Sequence, residues 1–260
     1  MADSMLGLKG KIVVVTGSSQ GVGRGCAEQF ARAGAHIVVV ARGLERAETA
    51  AKEVRSLGVE ALAVQADVCV QADIDRMVAE TLTRFGRIDI AINNVGGRRG
   101  KPEGGLLESG LDYWRETLEL NLLTVLTCTR AFADAMISKG EGGVVVNVAS
   151  TTAYKASPNL APYGAAKAGL IQLNKTLALE LAPHGIRVVG LSPGMVDTDS
   201  LREFMDEDML AARGKRIPAG RIAMPEDLGK AAVLLASDLA GWVYGDTLVC
   251  DGGELLVSGG

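Results

Sequence analysis

The stretch Lys11-Ile12-Val13-Val14-Val15-Thr16-Gly17-Ser18-Ser19-Gln20-Gly21-Val22-Gly23 decides how the rest of the chain is read. A β-branched run ends in a glycine-rich turn, and an amphipathic stretch over 23–33 follows. β-Branched side chains suit a pleated surface. A run that is apolar throughout, without alternation, predicts a parallel strand covered on both faces. The glycines allow a tight turn and a close approach to a pyrophosphate. The first amides of the next helix then meet its negative charge. Strand, glycine loop and helix in that order predict a dinucleotide site.

Outward from this junction the pattern repeats. Further strands are expected over 36–41, 61–65, 88–93, 143–149, 186–191 and 246–250, beside the first at 11–16. Helices are expected near 44–57, 72–85, 111–138, 163–181 and 225–237. Gly34, Gly58 and Gly86 stop the first three helices, and Pro225-Glu226-Asp227 opens the last with acid at its N-terminus. Alternation of this kind predicts an α/β fold, a doubly wound Rossmann-type parallel sheet of about seven strands with helices on both faces. No linker or repeat divides it, so residues 1–260 read as one domain. The irregular segments 96–110 and 197–220 both follow strands, where such sheets place their ligand crevice. In the second segment, Leu201, Phe204, Met205, Met209 and Leu210 recur at helical spacing and predict a short amphipathic lid.

The bulk numbers exclude some classes. Of 260 residues, 48% are hydrophobic and 22% charged, which suffices for a sizeable core. A net charge of −4 with scattered Lys and Arg argues against a nucleic-acid partner. The locally basic run Gly96-Gly97-Arg98-Arg99-Gly100-Lys101 reads as a solvated loop, with an acidic substrate as the alternative. Cys26, Cys69, Cys128 and Cys250 are widely spaced and read as core or edge residues in a reducing compartment. His36 and His184 lack metal-ligand spacing, so no metal site is expected. Met1 to Lys11 holds no apolar signal core, and no apolar run reaches the roughly 18 residues of a membrane span. The expected location is the cytoplasm, without a membrane partner.

Tyr163 and Lys167 lie four apart in a predicted helix and so share one face. A phenol with a pKa of about 10 is a poor base at neutral pH. A neighbouring ammonium favours the phenolate. Ser150, at the end of a predicted strand, offers a hydroxyl that can hold a substrate oxygen. Taken singly, each has a plainer reading: Tyr163 as packing at a helix start, Ser150 as a turn residue.

Together these elements resemble the short-chain dehydrogenase/reductase family over nearly the whole chain, and the pattern is similar to 3-oxoacyl-carrier-protein reductases. The resemblance rests on Thr16-Gly17 through Gly21 and Gly23, Asp67-Val68, Asn93-Asn94-Val95-Gly96, Ser150 with Tyr163 and Lys167, Pro193-Gly194 through Thr198, and Asp251-Gly252-Gly253. Val95 stands where the family usually has alanine. The resemblance implies that Gly17, Ser19, Gln20, Gly21, Val22 and Gly23 hold the pyrophosphate. It puts Asp67 and Val68 at the adenine, Asn94, Val95 and Gly96 beside the cofactor, and Pro193, Gly194, Val196 and Thr198 at the nicotinamide. Tyr163 and Lys167 also touch the cofactor, and Asn121 anchors a water linking Lys167 to solvent; read by itself, Asn121 is a polar residue that kinks its helix. From their positions around Ser150, Tyr163 and Lys167, Tyr154, Asn159 and Met195 are expected to neighbour the substrate.

The implied reaction moves hydride between a nicotinamide and a ketone or secondary alcohol, with Tyr163 as general acid or base. Arg42, after the second strand, favours NADP(H) over NAD(H), because a guanidinium pairs with a 2′-phosphate. Relatives assemble as homotetramers through helices such as 111–138 and 163–181 and the C-terminal segment. The apolar run 242–257 suits that role or a core strand. Two other readings stay open: an epimerase or dehydratase on the same fold, and a non-catalytic nucleotide sensor or scaffold. The short chain and the glycine spacing count against the first, and the Ser150, Tyr163 and Lys167 set against the second.

Overall fold

The β-branched runs pair as expected. Strands β1 (Ile12–Thr16), β2 (His36–Ala41), β3 (Ala61–Gln65), β4 (Ile90–Asn93), β5 (Gly143–Val148), β6 (Ile186–Pro193) and β7 (Thr247–Cys250) form one parallel sheet. Their order is β3-β2-β1-β4-β5-β6-β7. The computed structural model describes residues 5–97 and 105–257. Arg98, Arg99, Gly100 and Lys101 of the basic run lie outside the described residues.

Successive strand residues face opposite ways, so each strand feeds two cores. Val13, Val15, Ile37 and Val39 point to helices α1 (Gly21–Arg32), α2 (Leu44–Arg55) and α9 (Pro225–Ala236), where Phe30, Ala51 and Leu228 are buried. Val14, Val38 and Val145 point the other way. They meet Met77 of α3 (Gln71–Phe85), Phe132 of α5 (Thr124–Lys139) and Leu177 of α6 (Ala161–Leu181). Burying each such large side chain stabilises by roughly 1.5–3 kcal/mol. Cys26 and Cys128 sit in these cores, where desolvation pushes their thiols up to about 12. They stay protonated and unreactive.

Several element ends differ from expectation, each for a local reason. α1 begins at Gly21, so Gly21 to Gly23 form its first turn. β4 begins only at Ile90, because the Asp89 carboxylate turns back to accept the Ile12 amide at 2.8 Å and pairs with Arg87. The helix predicted over 163–181 starts earlier, at Ala161, with Pro162 in its first turn. The continuous helix expected over 111–138 is interrupted. α4 (Leu111–Leu118) passes through a π-helical turn, Glu119–Leu123, before α5. By length and composition Leu111–Lys139 could cross a bilayer, contrary to the sequence reading. Val125, Cys128, Phe132 and Met136 within it are instead buried.

The predicted lid is two short helices, α7 (Asp199–Arg202) and α8 (Glu207–Gly214). Leu201, Met205 and Leu210 pack with Met195, Ile217 and Ile222 into a small separate cluster, whereas Phe204 and Met209 are exposed. Only Thr247–Cys250 of the terminal apolar run is strand, and Trp242 is 97% exposed. His36 accepts the Glu60 amide through Nδ1 at 3.0 Å and stacks on Phe85.

α1 and α9 cross at glycine contacts. A Cβ on Gly25 would lie 2.2 Å from the Pro225 carbonyl oxygen, and one on Gly229 2.3 Å from that of Gly25. Neither backbone can yield without separating the helices. Gly25→Ala is expected to lower stability by about 1–3 kcal/mol, as overpacking does. A urea midpoint equal to that of the parent chain would disprove this contact.

Candidate active site

The strand order reverses between β1 and β4, and in open α/β sheets the ligand crevice lies at such a point, beyond the C-terminal strand ends. A cavity of about 1130 Å³ opens there. One wall is the loop Gly17 to Val22. Gly17 has φ 66° and Gly21 φ 56°, left-handed conformations that glycine adopts without strain. A Cβ on Gly23 would lie 2.4 Å from the Gly17 carbonyl oxygen, so glycine there lets the loop close onto α1. The first-turn amides of α1 and its positive end face this space, a fitting cradle for a pyrophosphate.

Asn94 holds the loop from the next strand. Its Nδ2 donates to the carbonyls of Thr16 (3.0 Å) and Gly17 (3.2 Å), while the Thr16 hydroxyl accepts the amides of Asn94 and Val95. The Val95 side chain packs beside Gly17, within 3.0 Å of where a Cβ would stand. Asp67 and Val68 line the cavity further along, and the Asp67 carboxylate accepts the Cys69 amide at 3.0 Å. At the far end Arg42 lines the wall, its carbonyl held by Gln65 Nε2 at 3.0 Å. Arg46, in the first turn of α2, lines the same wall and escaped the sequence reading. Its only signal there was a four-residue offset from Arg42. Among the described residues neither guanidinium is ion-paired.

At the other end the cavity meets Ser150, Tyr163 and Lys167, together with Pro193, Gly194, Val196 and Thr198. Thr198 caps α7, its hydroxyl accepting the Leu201 amide. Of the expected catalytic and cofactor-binding residues, Gly23 and Asn121 are the two that do not line the cavity. Ser150 lies two residues beyond β5, capping the short 3-10 turn Thr151–Ala153, and accepts twice at its hydroxyl, from the Thr152 amide (3.2 Å) and the Thr152 hydroxyl (2.9 Å). Both its lone pairs are thus used, leaving its own proton to donate. Lys167 is buried, with Nζ donating to the Val148 carbonyl at 2.8 Å and standing 5.7 Å from the centre of the Tyr163 ring. Desolvation lowers its ammonium from 10.5 to about 8.

Asn121 sits in the π-helical turn, fully buried. Its amide clamps Gly97, accepting from that N–H at 2.8 Å and donating to that carbonyl at 2.9 Å, with a second donation to Thr117. Gly96 lies between this amide and Lys167: a Cβ there would be 2.9 Å from Asn121 Oδ1 and 3.1 Å from Lys167 Nζ. Tyr154, Asn159 and Met195, the expected substrate neighbours, are not among the lining residues, whereas Leu120 and Ser200 are. Asn159 has φ 62°, a conformation asparagine tolerates better than most residues.

The family description enoyl-(acyl carrier protein) reductase matches residues 17–254. A 3β-hydroxysteroid dehydrogenase of Eggerthella lenta is 37% identical over 254 residues, covering 97% of this chain and 96% of that protein. A gluconate 5-dehydrogenase from Burkholderia cenocepacia, solved with NADP and tartrate, superposes with a TM-score of 0.90 at 34% identity, covering 99% of this chain and all of that one. A 7α-hydroxysteroid dehydrogenase, solved with NADH and 7-oxo glycochenodeoxycholic acid, reaches 0.89 at 29% identity and 97% coverage of both. Fold, glycine loop and full-length matches agree: the chain belongs to the short-chain dehydrogenase/reductase family and is a nicotinamide-dependent oxidoreductase.

Proposed function

We propose that this enzyme interconverts a ketone and a secondary alcohol, with Ser150, Tyr163 and Lys167 as its catalytic residues. The observation that carries the reading is that all three line the cavity whose other wall is the Gly17 to Val22 cradle. A bound nicotinamide supplies or accepts the hydride. Tyr163 gives its phenolic proton to the substrate oxygen during reduction and takes it back during oxidation. Ser150 donates the one hydrogen bond its geometry leaves free to that same oxygen. Lys167, beside the Tyr163 ring, favours the phenolate and reaches the cofactor ribose. Asn121 keeps Gly97 and the cavity floor in place, and the remaining lone pair on its Oδ1 accepts the water that relays protons to Lys167. The assay is a panel of ketones and alcohols followed by nicotinamide absorbance. Turnover at the parental rate in Tyr163→Phe would refute the assignment.

NADP(H) is the favoured cofactor. Arg42 and Arg46 put two positive charges at the N-terminus of α2, where the helix dipole already disfavours cations. A 2′-phosphate offsets that repulsion. The double variant Arg42→Ala/Arg46→Ala is expected to weaken NADPH about tenfold or more while sparing NADH. Equal losses for both cofactors in a fluorescence titration would overturn the preference. A homotetramer built through α4 to α6 and the C-terminal segment would cover the exposed Leu123, Leu126, Leu179 and Trp242.

A further inference from the structure

A row of buried amides crosses the sheet one step below the catalytic residues. Asn93 of β4 and Asn147 of β5 are register partners, as are Asn147 and Gly190 of β6, and Gly190 and Thr247 of β7. Asn93 Nδ2 donates to Asn147 Oδ1 at 2.8 Å, and Asn147 Nδ2 donates to Asn174 Oδ1 of α6 at 2.8 Å. Asn174 Nδ2 continues to the Thr247 hydroxyl at 3.4 Å. Gly190 makes room for that reach. A Cβ there would lie 2.6 Å from Asn174 Nδ2 and 2.2 Å from Thr247 Oγ1. Asn93, Asn147 and Asn174 are all fully or almost fully buried.

Stability does not account for this ladder, since apolar groups of the same shape do about as well once both partners are replaced. What amides add is direction. α6 carries Leu170, Ile171, Leu173, Leu177, Leu179 and Leu181 on several of its sides, so its apolar residues alone define its rotation weakly. Asn174 lies seven residues, about two turns, beyond Lys167 and on the same face. The helix is therefore tied to adjacent residues of β5 by two polar attachments, Asn174 to the side chain of Asn147 and Lys167 to the carbonyl of Val148.

We propose that Asn174 is a positioning residue: through Asn147 and Thr247 it sets the rotation and height of α6, and so the placement of Tyr163 and Lys167 against Ser150. This rests on the catalytic reading above. Because misplacement of about 1 Å can cost about 100-fold, Asn174→Leu is expected to lower kcat about 10- to 100-fold. The cofactor KM changes far less than kcat, because the cradle at Gly17 to Val22 is untouched. The kcat–pH profile moves as well, since Lys167 and Tyr163 are displaced relative to each other. Asn174→Thr, which keeps an acceptor for Asn147, recovers part of the loss. Leu177→Ala, a buried truncation one turn further along α6, lowers stability but leaves kcat and its pH profile as in the parent.

Parental kcat and pH profile in folded Asn174→Leu, or a profile shift reproduced by Leu177→Ala, overturns the proposal. Should Asn174→Leu not fold, Thr247→Val removes only the end of the ladder. It is expected to move kcat and the pH profile in the same direction, and parental behaviour there overturns the proposal equally. Turnover at the parental rate in Tyr163→Phe would defeat the catalytic reading itself. An inactive Tyr163→Phe beside parental kinetics in Asn174→Leu would defeat only the positioning role.

Discussion

Tyr163→Phe is expected to lower kcat by about 100- to 10,000-fold, the range attributed to a positioned general acid or base. The change removes one oxygen and keeps the ring, so packing in the first turn of α6 is preserved. Cofactor affinity is expected to stay within about threefold, because the cradle at Gly17 to Val22 and the amides of α1 are untouched. Ser150 still donates to the substrate oxygen, which leaves a residual rate. A matching loss of cofactor binding would mean that the Tyr163 hydroxyl serves to hold the cofactor, and that its proton is not the one transferred.

Lys167→Met is the second large effect, and it acts in two directions. Activity falls by about 100-fold or more, since the charge that favours the phenolate is gone. Stability of the ligand-free protein rises. Burial lowers the Lys167 ammonium from 10.5 to about 8, so the folded state disfavours the charged form. That penalty is fully present below about pH 8 and fades as pH rises towards 10.5, where the unfolded chain also loses the proton. At neutral pH it amounts to about 3 kcal/mol. The Val148 carbonyl left without its donor takes back about 1 kcal/mol. Methionine is therefore expected to stabilise by about 2 kcal/mol at pH 7. By about pH 10.5 the advantage is expected to disappear. Urea unfolding of both proteins at the two pH values checks it, and a less stable Met variant at pH 7 would contradict it.

The exchange of stability for activity at Lys167 mirrors what could be read from residues alone. The β-branched runs and glycine stops locate all seven strands to within about two residues, because parallel strands buried on both faces leave an unbroken apolar signal. The cavity wall was equally legible, since the glycine loop and the Ser150, Tyr163 and Lys167 set are local patterns at strand and helix ends. At Asn121 a kink was legible but the π-helical turn was not. It arises where a buried amide clamps Gly97, a residue 24 positions away, and nothing in 111–138 encodes that partner. Arg46 was missed although the helix start at Leu44 was expected, because only the folded cavity shows that it shares a wall with Arg42. The ladder through Asn147 and Asn174 was hidden for the same reason. It exists only once strand register brings Asn93, Asn147, Gly190 and Thr247 into one row.

The central claim is that hydride passes between nicotinamide and substrate carbon while Tyr163 moves the proton. Its most direct test uses reduced nicotinamide carrying deuterium at the transferring position, a ketone substrate found in the panel, and mass analysis of the alcohol. The account predicts one deuterium on the carbinol carbon with the parent enzyme, and the same product at a greatly reduced rate with Tyr163→Phe. Alcohol formed without deuterium, or formed at the parental rate by Tyr163→Phe, would contradict it.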